Sequence, residues 1–242
     1  MPQLVSERRD QPWRRRLYLP MYQIGEAARY AKISPQTVAA WHKAAGQPSP
    51  TLSSKEMGEA LSYLQLIEVA VVAALRDWGV PMRRIRAARE YVRKEFKTEH
   101  PFATYRFKTD GRSLLVPYQQ VEGKKGEGKL LDATAHGQLA WDDIIGPRLK
   151  EFEYERGRGE RALAVRWHVG GEESRVVIDP QISFGTPTIR GMPTWLLRER
   201  WEAGESVKDI ADDFRLKEQD VMCALKFEGI DLNEVRGRTW VH

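Results

Sequence analysis

An α+β fold, with helices at both ends and strands between them, is the architecture this sequence predicts, and three observations carry it. Up to Phe96 apolar residues recur every three to four positions, and they do so again after Thr194. Between those stretches the period drops to two, the spacing of a strand with one face buried. Glycines and prolines crowd the stretch 176–194, just before the last helical pattern begins.

In MYQIGEAARYAKISPQTVAAWHK, residues 21–43, Ile24, Ala27, Ala28 and Ala31 hold helical spacing, the pattern lapses at Lys32-Ile33-Ser34, and Val38 and Trp41 resume it. Ser34 suits an N-cap because its oxygen can accept a free backbone N–H, and Pro35 suits the first helical position, where no N–H is needed. The pattern is a helix–turn–helix, and Trp41 continues the core stripe of Val38. AGQPSPTLSS follows as a small wing or tight loop.

A helix is expected to restart near Ser54, with Leu61, Leu64, Ile67, Glu68, Val71, Val72 and Leu75 on its apolar stripe, and to end at Gly79 and Pro81. The next helix turns Ile85, Ala88, Tyr91, Val92 and Phe96 inward and sets a basic face opposite. Asp110-Gly111 between two strand-like runs signals a hairpin, and EFEYERGRGERALAVRWHV suggests another, with Leu163, Val165, Trp167 and Val169 alternating against Ala164, Arg166 and His168. A small antiparallel sheet follows from these, with VEGKKGEGKL as a mobile loop between the hairpins. Three helices are expected last, from TWLLRERWEAG, SVKDIADDF and KEQDVMCALKFE. Gly204 stops the first and Ser206 caps the second, giving another helix–turn–helix shape.

The chain has 242 residues, room for two or three compact units. We expect a DNA-binding part over 18–98, a β-hairpin region over 99–175, a helical part over 176–235 and a tail over 236–242. The most apolar run, LIEVAVVAAL, is interrupted by Glu68 and falls well short of the roughly 20 residues of a membrane helix, so no membrane partner is expected. With no apolar stretch behind the N-terminal arginines to act as a signal peptide, a cytoplasmic protein is expected. Cys223 is the only cysteine, which excludes an intramolecular disulfide and a cysteine zinc cluster. A net charge of +5 permits a nucleic-acid partner, and its distribution along the chain decides more than the sum.

Enzyme chemistry finds no footing. VVIDPQISFGTPTIRGMPT, residues 176–194, spaces Gly185 and Gly191 as a phosphate loop would, but Met192-Pro193 stands where lysine and a hydroxyl residue are required. The same residues make a better structural strap. Asp179-Pro180 and Gly185-Thr186-Pro187 force turns, Ile182 and Ile189 can bury, and Pro193-Thr194 begins a helix. Arg190 within it is open to two roles, a structural ion pair or a partner-facing contact. The five histidines show no metal-ligand spacing, and the adjacent pairs Asp142-Asp143 and Asp212-Asp213 diverge by about 100° on a helix. We therefore expect no catalytic residues, no metal and no cofactor.

DNA binding has positive support. Between Pro81 and Lys97 the chain places Arg83, Arg84, Arg86, Arg89, Arg93, Lys94 and Lys97 against only Glu90 and Glu95. Such a density can track phosphates, Arg83 and Arg84 foremost, although a solvated helix face accounts for it too. Ser34, Gln36 and Thr37 stand at the N-terminal end of the reading helix, where side chains of this motif reach bases or phosphates, and His42 and Lys43 at its other end suit the backbone. Arg14, Arg15 and Arg16 form either a minor-groove arm or a basic tail. The C-terminal helix pair has the opposite sign: from Arg198 to Glu234 there are eleven acidic residues and six basic ones. Glu218 and Asp220 sit at the start of its would-be reading helix, so phosphate should be repelled and the module should dimerise or meet a protein.

The pieces IGEAARYAKISPQTVAAW, LSYLQLIEVAVVAALR, HPF with TDGRSL, and IDPQISFGTPTIRGMPT with AGESVKDIADDF together resemble bacterial VapB-like antitoxins. These join a MerR-like helix–turn–helix to a C-terminal domain of unknown function numbered four-three-three. The resemblance spans most of the chain and implies a homodimer that represses its own operon at operator DNA and neutralises a PIN-like ribonuclease toxin. The lysine-rich GKKGEGK departs from the compact loop usual there, so contacts at that place do not carry over. On this footing VRGRTWVH is a candidate toxin contact, with Trp240 as apolar anchor and Arg236 or Arg238 reaching carboxylates, alongside Arg190. The alternative to that contact is a frayed end. The rival to the whole reading is a MerR-like regulator that answers a small effector and has no toxin.

Overall fold

The structure, a computed structural model, describes residues 12–43, 51–53, 60–109, 114–117, 129–135, 138–141, 149–156, 162–231 and 233. Helix and strand are mixed, as an α+β fold requires. The chain divides into two compact units, 1–165 and 166–242, with the division inside strand β6 (Ala162–His168). From the sequence the C-terminal part was expected to begin at 176.

In the first unit, α1 (Pro12–Arg16) contains the three arginines that the sequence left as arm or tail. Leu17 is buried behind it. The paired short helices are α2 (Ile24–Tyr30) and α3 (Pro35–Trp41). Ala27 and Ala28 from one and Val38 and Trp41 from the other are buried, as their spacing predicts.

The next helix does not restart near Ser54. It is α4 (Tyr63–Asp77), begun by a capping box in which Ser62 accepts from the Gln65 N–H and Gln65 reaches back to the Ser62 N–H. Residues 54–59 lie outside the described residues. Leu61, expected on the helix, instead forms an antiparallel bridge with Tyr22. Nor does α4 carry a single apolar stripe. Leu66, Val69 and Val72 are as fully buried as Leu64, Ile67 and Val71, because α2, α5 (Met82–Glu95) and α6 (Pro101–Thr104) all pack on it. A helix enclosed on several sides has no solvent face to keep polar.

That enclosure explains Glu68. Its side chain is fully buried, and its carboxylate accepts from Phe102 N–H at 3.3 Å and faces His100 Nδ1 at 3.3 Å. A buried carboxylate is tolerated where donors surround it. The HPF triplet supplies two of them.

The first sheet has strand order β1-β2-β3-β4, all antiparallel: Lys108–Thr109, Leu114–Pro117, Lys129–Asp132 and Gln138–Trp141. Thr109 faces Leu114, so the first hairpin closes through residues 110–113. Asp110 and Gly111 themselves lie outside the described residues. Lys129 and Leu130, read as loop, are the start of β3, and their partners on β2 and β4 override the local composition. Strand β5 (Phe152–Arg156) follows, and Tyr154 Oη donates to the Phe102 carbonyl at 3.0 Å.

In the second unit the end of β6 pairs with β7 (Val176–Ile178), β7 with β8 (Thr188–Ile189) and β8 with β9 (Met192–Pro193). Three helices follow: α7 (Thr194–Glu202), α8 (Val207–Phe214) and α9 (Glu218–Phe227). Gly204, at φ 101°, ends the first turn sequence, and Ser206 accepts from the Asp209 N–H to cap α8. Their core is Ile189, Leu197, Trp201, Ile210, Ala211, Val221, Ala224 and Leu225, with half-buried Cys223 packed against it. No helix among the described residues is long and apolar enough to cross a membrane.

Candidate functional site

Two places are built to present side chains. The first is the N-terminal end of α3. Ser34 Oγ accepts from the Thr37 N–H at 3.1 Å and lies 2.9 Å from the Thr37 hydroxyl. The cap satisfies one of the orphan amides without turning the end of the helix inward. Ser34, Pro35 and Gln36 are exposed and Thr37 is half-buried. The N-terminal turn of α3 therefore faces outward, with no formal charge on it.

The other end of α3 divides. Lys43 is exposed, whereas His42 is 6% exposed, and its Nδ1 sits 2.7 Å from the Ser53 carbonyl. His42 faces inward and helps fix the Thr51–Ser53 segment. Around it, Leu52 N–H donates to the Trp41 carbonyl, Gln65 Nε2 donates to Ser53 Oγ, and Arg86 Nε donates to Thr51 Oγ1 at 2.9 Å. Of AGQPSPTLSS, expected as a wing or tight loop, residues 45–50 and 54 lie outside the described residues.

The basic helix α5 carries fewer free cations than its composition suggests. Arg83 is exposed and Arg84 half-buried. Arg89 is 4% exposed, and its Nη2 donates to the Glu99 carbonyl at 3.1 Å, which removes it from any outer face. Arg93 and Lys94 both pair with Glu90, at 3.1 and 3.2 Å. The hydrogen bond from Arg93 first, and Lys94 after it, overcome partial burial and hold the Glu90 carboxyl down at about 2.

The second place is the strap. Ile189 faces Met192 and Thr188 faces Pro193, so Arg190 and Gly191 alone make the turn. Both have positive φ, 48° and 83°, the two-residue geometry that matches strand twist. For an arginine this costs roughly 1 kcal/mol. Its side chain shows the offset. Arg190 Nε donates to Asp220 Oδ2 at 2.7 Å, and Arg175 Nη1 donates to Oδ1 of the same carboxylate at 2.7 Å. Arg175 Nη2 also donates to Gln219 Oε1.

Asp220 is fully buried, whereas the sequence placed it on an acidic outer surface. Burial pushes its carboxyl upward, but the hydrogen bonds and charges of Arg190 and Arg175 overcome this and hold it below the usual aspartate range. The ion-pair role open to Arg190 is thus occupied, while 58% of its side chain stays exposed. Further along, Asp179 caps its own turn through the Gln181 N–H and pairs with Arg166 at 3.0 Å. Phe184, at φ 57°, stands 63% exposed.

Arg236, Arg238 and Trp240 lie outside the described residues. What the sequence missed was the Arg175–Asp220 contact, between residues far apart in the chain and joined only by tertiary packing. Among the described residues no group of three or more histidine, cysteine, aspartate or glutamate side chains is gathered as a metal site.

The strap and the helices after it define the class of module. Residues 176–227 match the family model described as protein of unknown function, DUF433. Over nearly its whole length the chain is also similar to a curated protein of Mycobacterium tuberculosis strain H37Rv, named "Putative antitoxin VapB45". Identity is 26% over 235 residues, which cover 89% of this chain and 97% of that one. The fold resembles the X-ray crystal structure of Rv2018 from Mycobacterium tuberculosis, with a TM-score of 0.58 and 23% identity, over 87% of this chain and 99% of that one.

Proposed function

We propose that this chain is the antitoxin of a type II toxin–antitoxin pair, and that it neutralises a PIN-like ribonuclease and represses its own operon as a homodimer. The toxin half of the reading draws on the name of the VapB45 relative and on how much of both chains the similarity covers. The DNA half rests on one observation: the outward-facing, Ser34-capped end of α3.

In this reading α2 and α3 form a MerR-like helix–turn–helix with α3 in the major groove. Gln36 is placed to bond an adenine edge, Ser34 and Thr37 to bond bases or phosphates, and Lys43, Arg83 and Arg84 to bond backbone. His42, buried on Ser53, supports the motif from inside. Two-fold symmetry then sets half-sites about 34 Å apart or a multiple of that. Arg236, Arg238 and Trp240 remain the proposed toxin contact.

Co-expression of the adjacent open reading frame is the decisive experiment. A nuclease that purifies with this chain and is inactive until the chain is removed supports the reading. An independent neighbour removes its toxin half. For the DNA half, Gln36→Ala with Thr37→Ala should weaken binding to the operon's upstream DNA by ~1–3 kcal/mol per lost base contact. An unchanged gel shift at moderate salt rejects that assignment.

A further inference from the structure

We propose that the C-terminal helix–turn–helix also holds DNA, through a phosphate seat made by Arg175 and Arg190 beside the N-terminal turn of α9. The sequence alone misplaces one charge here. Counted along the chain, Asp220 is one more anion at the start of a reading helix, and phosphate should avoid it. In the structure that anion is fully buried against two arginine side chains that are 41% and 58% exposed.

One arginine is enough to neutralise one carboxylate, by a bidentate fork. Here each carboxylate oxygen takes a separate arginine, so the cluster carries a net positive charge. Arg190 spends only Nε on Asp220. Among the described residues it has no other hydrogen bond or ion pair, and 58% of its side chain is exposed. A guanidinium fixed through Nε, with its outer donors free, matches the paired oxygens of a phosphodiester.

The neighbours add to this. Arg215 and Lys217, both exposed, belong to the turn that leads into α9. With Arg175 and Arg190 they set four cations against Glu218 and Asp220. Glu172 and Glu173, exposed just before Arg175, oppose these cations, whereas Asp213 and Glu205 are paired with Arg200 and Glu228 lies near Arg198. Holding Arg190 in a left-handed turn, at a cost to the fold, is also what a side chain fixed for binding requires. The site lies wholly within the second unit and does not depend on the reading given to α3.

The full-length protein with a fluorescein-labelled duplex of mixed sequence provides the test, by anisotropy over a salt series. Arg190→Gln combined with Asp220→Asn keeps the net charge and leaves no buried carboxylate unpaired. We expect it to lower affinity about threefold to tenfold, and to reduce the slope of log affinity against log salt by about 0.9 for each phosphate lost. A folded variant with unchanged affinity and slope overturns the proposal, as does a wild type that fails to bind the duplex at low salt. If the double variant does not fold, Arg190→Lys decides. It keeps a cation for Asp220 but not the fork, and unchanged affinity in it is equally fatal.

Lys43→Gln in the same titration reads the N-terminal helix pair, so loss at one site and not the other shows which of the two assignments has failed. If the double variant keeps its DNA affinity but loses capture of the co-expressed neighbour, the guanidiniums serve a protein surface and the phosphate seat is wrong.

Discussion

The two short helix pairs, α2 with α3 and α8 with α9, begin their second helices in opposite ways. Helix α3 starts with a serine that accepts from the Thr37 N–H, a proline and a glutamine, all uncharged and all facing out. Helix α9 starts from Lys217 with no side-chain cap, and its third residue is a carboxylate turned inward onto two loops. In the first, the opening turn is closed by local chemistry and left available. In the second, the opening turn is part of the tertiary framework, with Asp220 turned in while Glu218 and Gln219 stay exposed. Similar motifs therefore do not imply similar surfaces.

The sharpest way to break this contrast is to remove both cations from the second unit. Arg175→Gln with Arg190→Gln leaves Asp220 buried without a counter-charge and should destabilise the protein by ~3–5 kcal/mol in denaturant unfolding. A loss below 1 kcal/mol would mean that Asp220 reaches water and that the framework role is wrong.

In the first unit the comparable buried acid is Glu68. Glu68→Ala strips the partner from the Phe102 amide and from His100, so about 1–3 kcal/mol should be lost. A neutral result would show that the HPF segment finds other acceptors.

The caps give a smaller effect. Ser34→Ala should cost about 1 kcal/mol, since Thr37 loses its acceptor. At the strap, Arg190→Gly should be less damaging than Arg190→Ala by about 1 kcal/mol, because both lose the ion pair but only glycine relieves the left-handed backbone. Equal stabilities in thermal unfolding would show that the turn carries no such strain.

Acid provides the finest test. Asp220 and Glu90 both have folded-state values below their ordinary ones, so the stabilisation each gives is complete well above 3.8 and 4.5 respectively. It is lost as pH falls through the folded values, down to about 2 for Glu90. Asp220→Asn should flatten the acid limb of a stability curve, and Glu90→Gln should do so less, because its pairs lie in solvent. An unaltered acid limb in both would refute these assignments.

Most helices were legible because their signals are local. Ser34, Ser62, Ser206 and Gly204 each act within a turn of themselves, and Ile210, Val221 and Leu225 follow the helical period. Ser62 is less plain than the others, because Leu61 before it has helical spacing in the sequence yet pairs with Tyr22 in the fold. Burial around α4 was less legible, since a stripe tells which face is apolar but not that the other faces are covered too. Charges were the least legible. Arg89, His42 and Asp220 each looked like surface residues, and each has a partner ten or more positions away, at Glu99, Ser53 and Arg190. Sign and count along a chain say nothing of such pairings.

The join between Leu17, Met21, Tyr22 and Leu61 has a practical corollary. The Leu64 amide finds its acceptor in the Leu17 carbonyl, and Met21, Tyr22 and Leu61 exchange three backbone hydrogen bonds. Shortening the chain past Pro20 would unpin the leading edge of its most enclosed helix and let water in beside Leu64. A fragment trimmed to begin at the first helix–turn–helix would thus start without the clasp that closes its own interior.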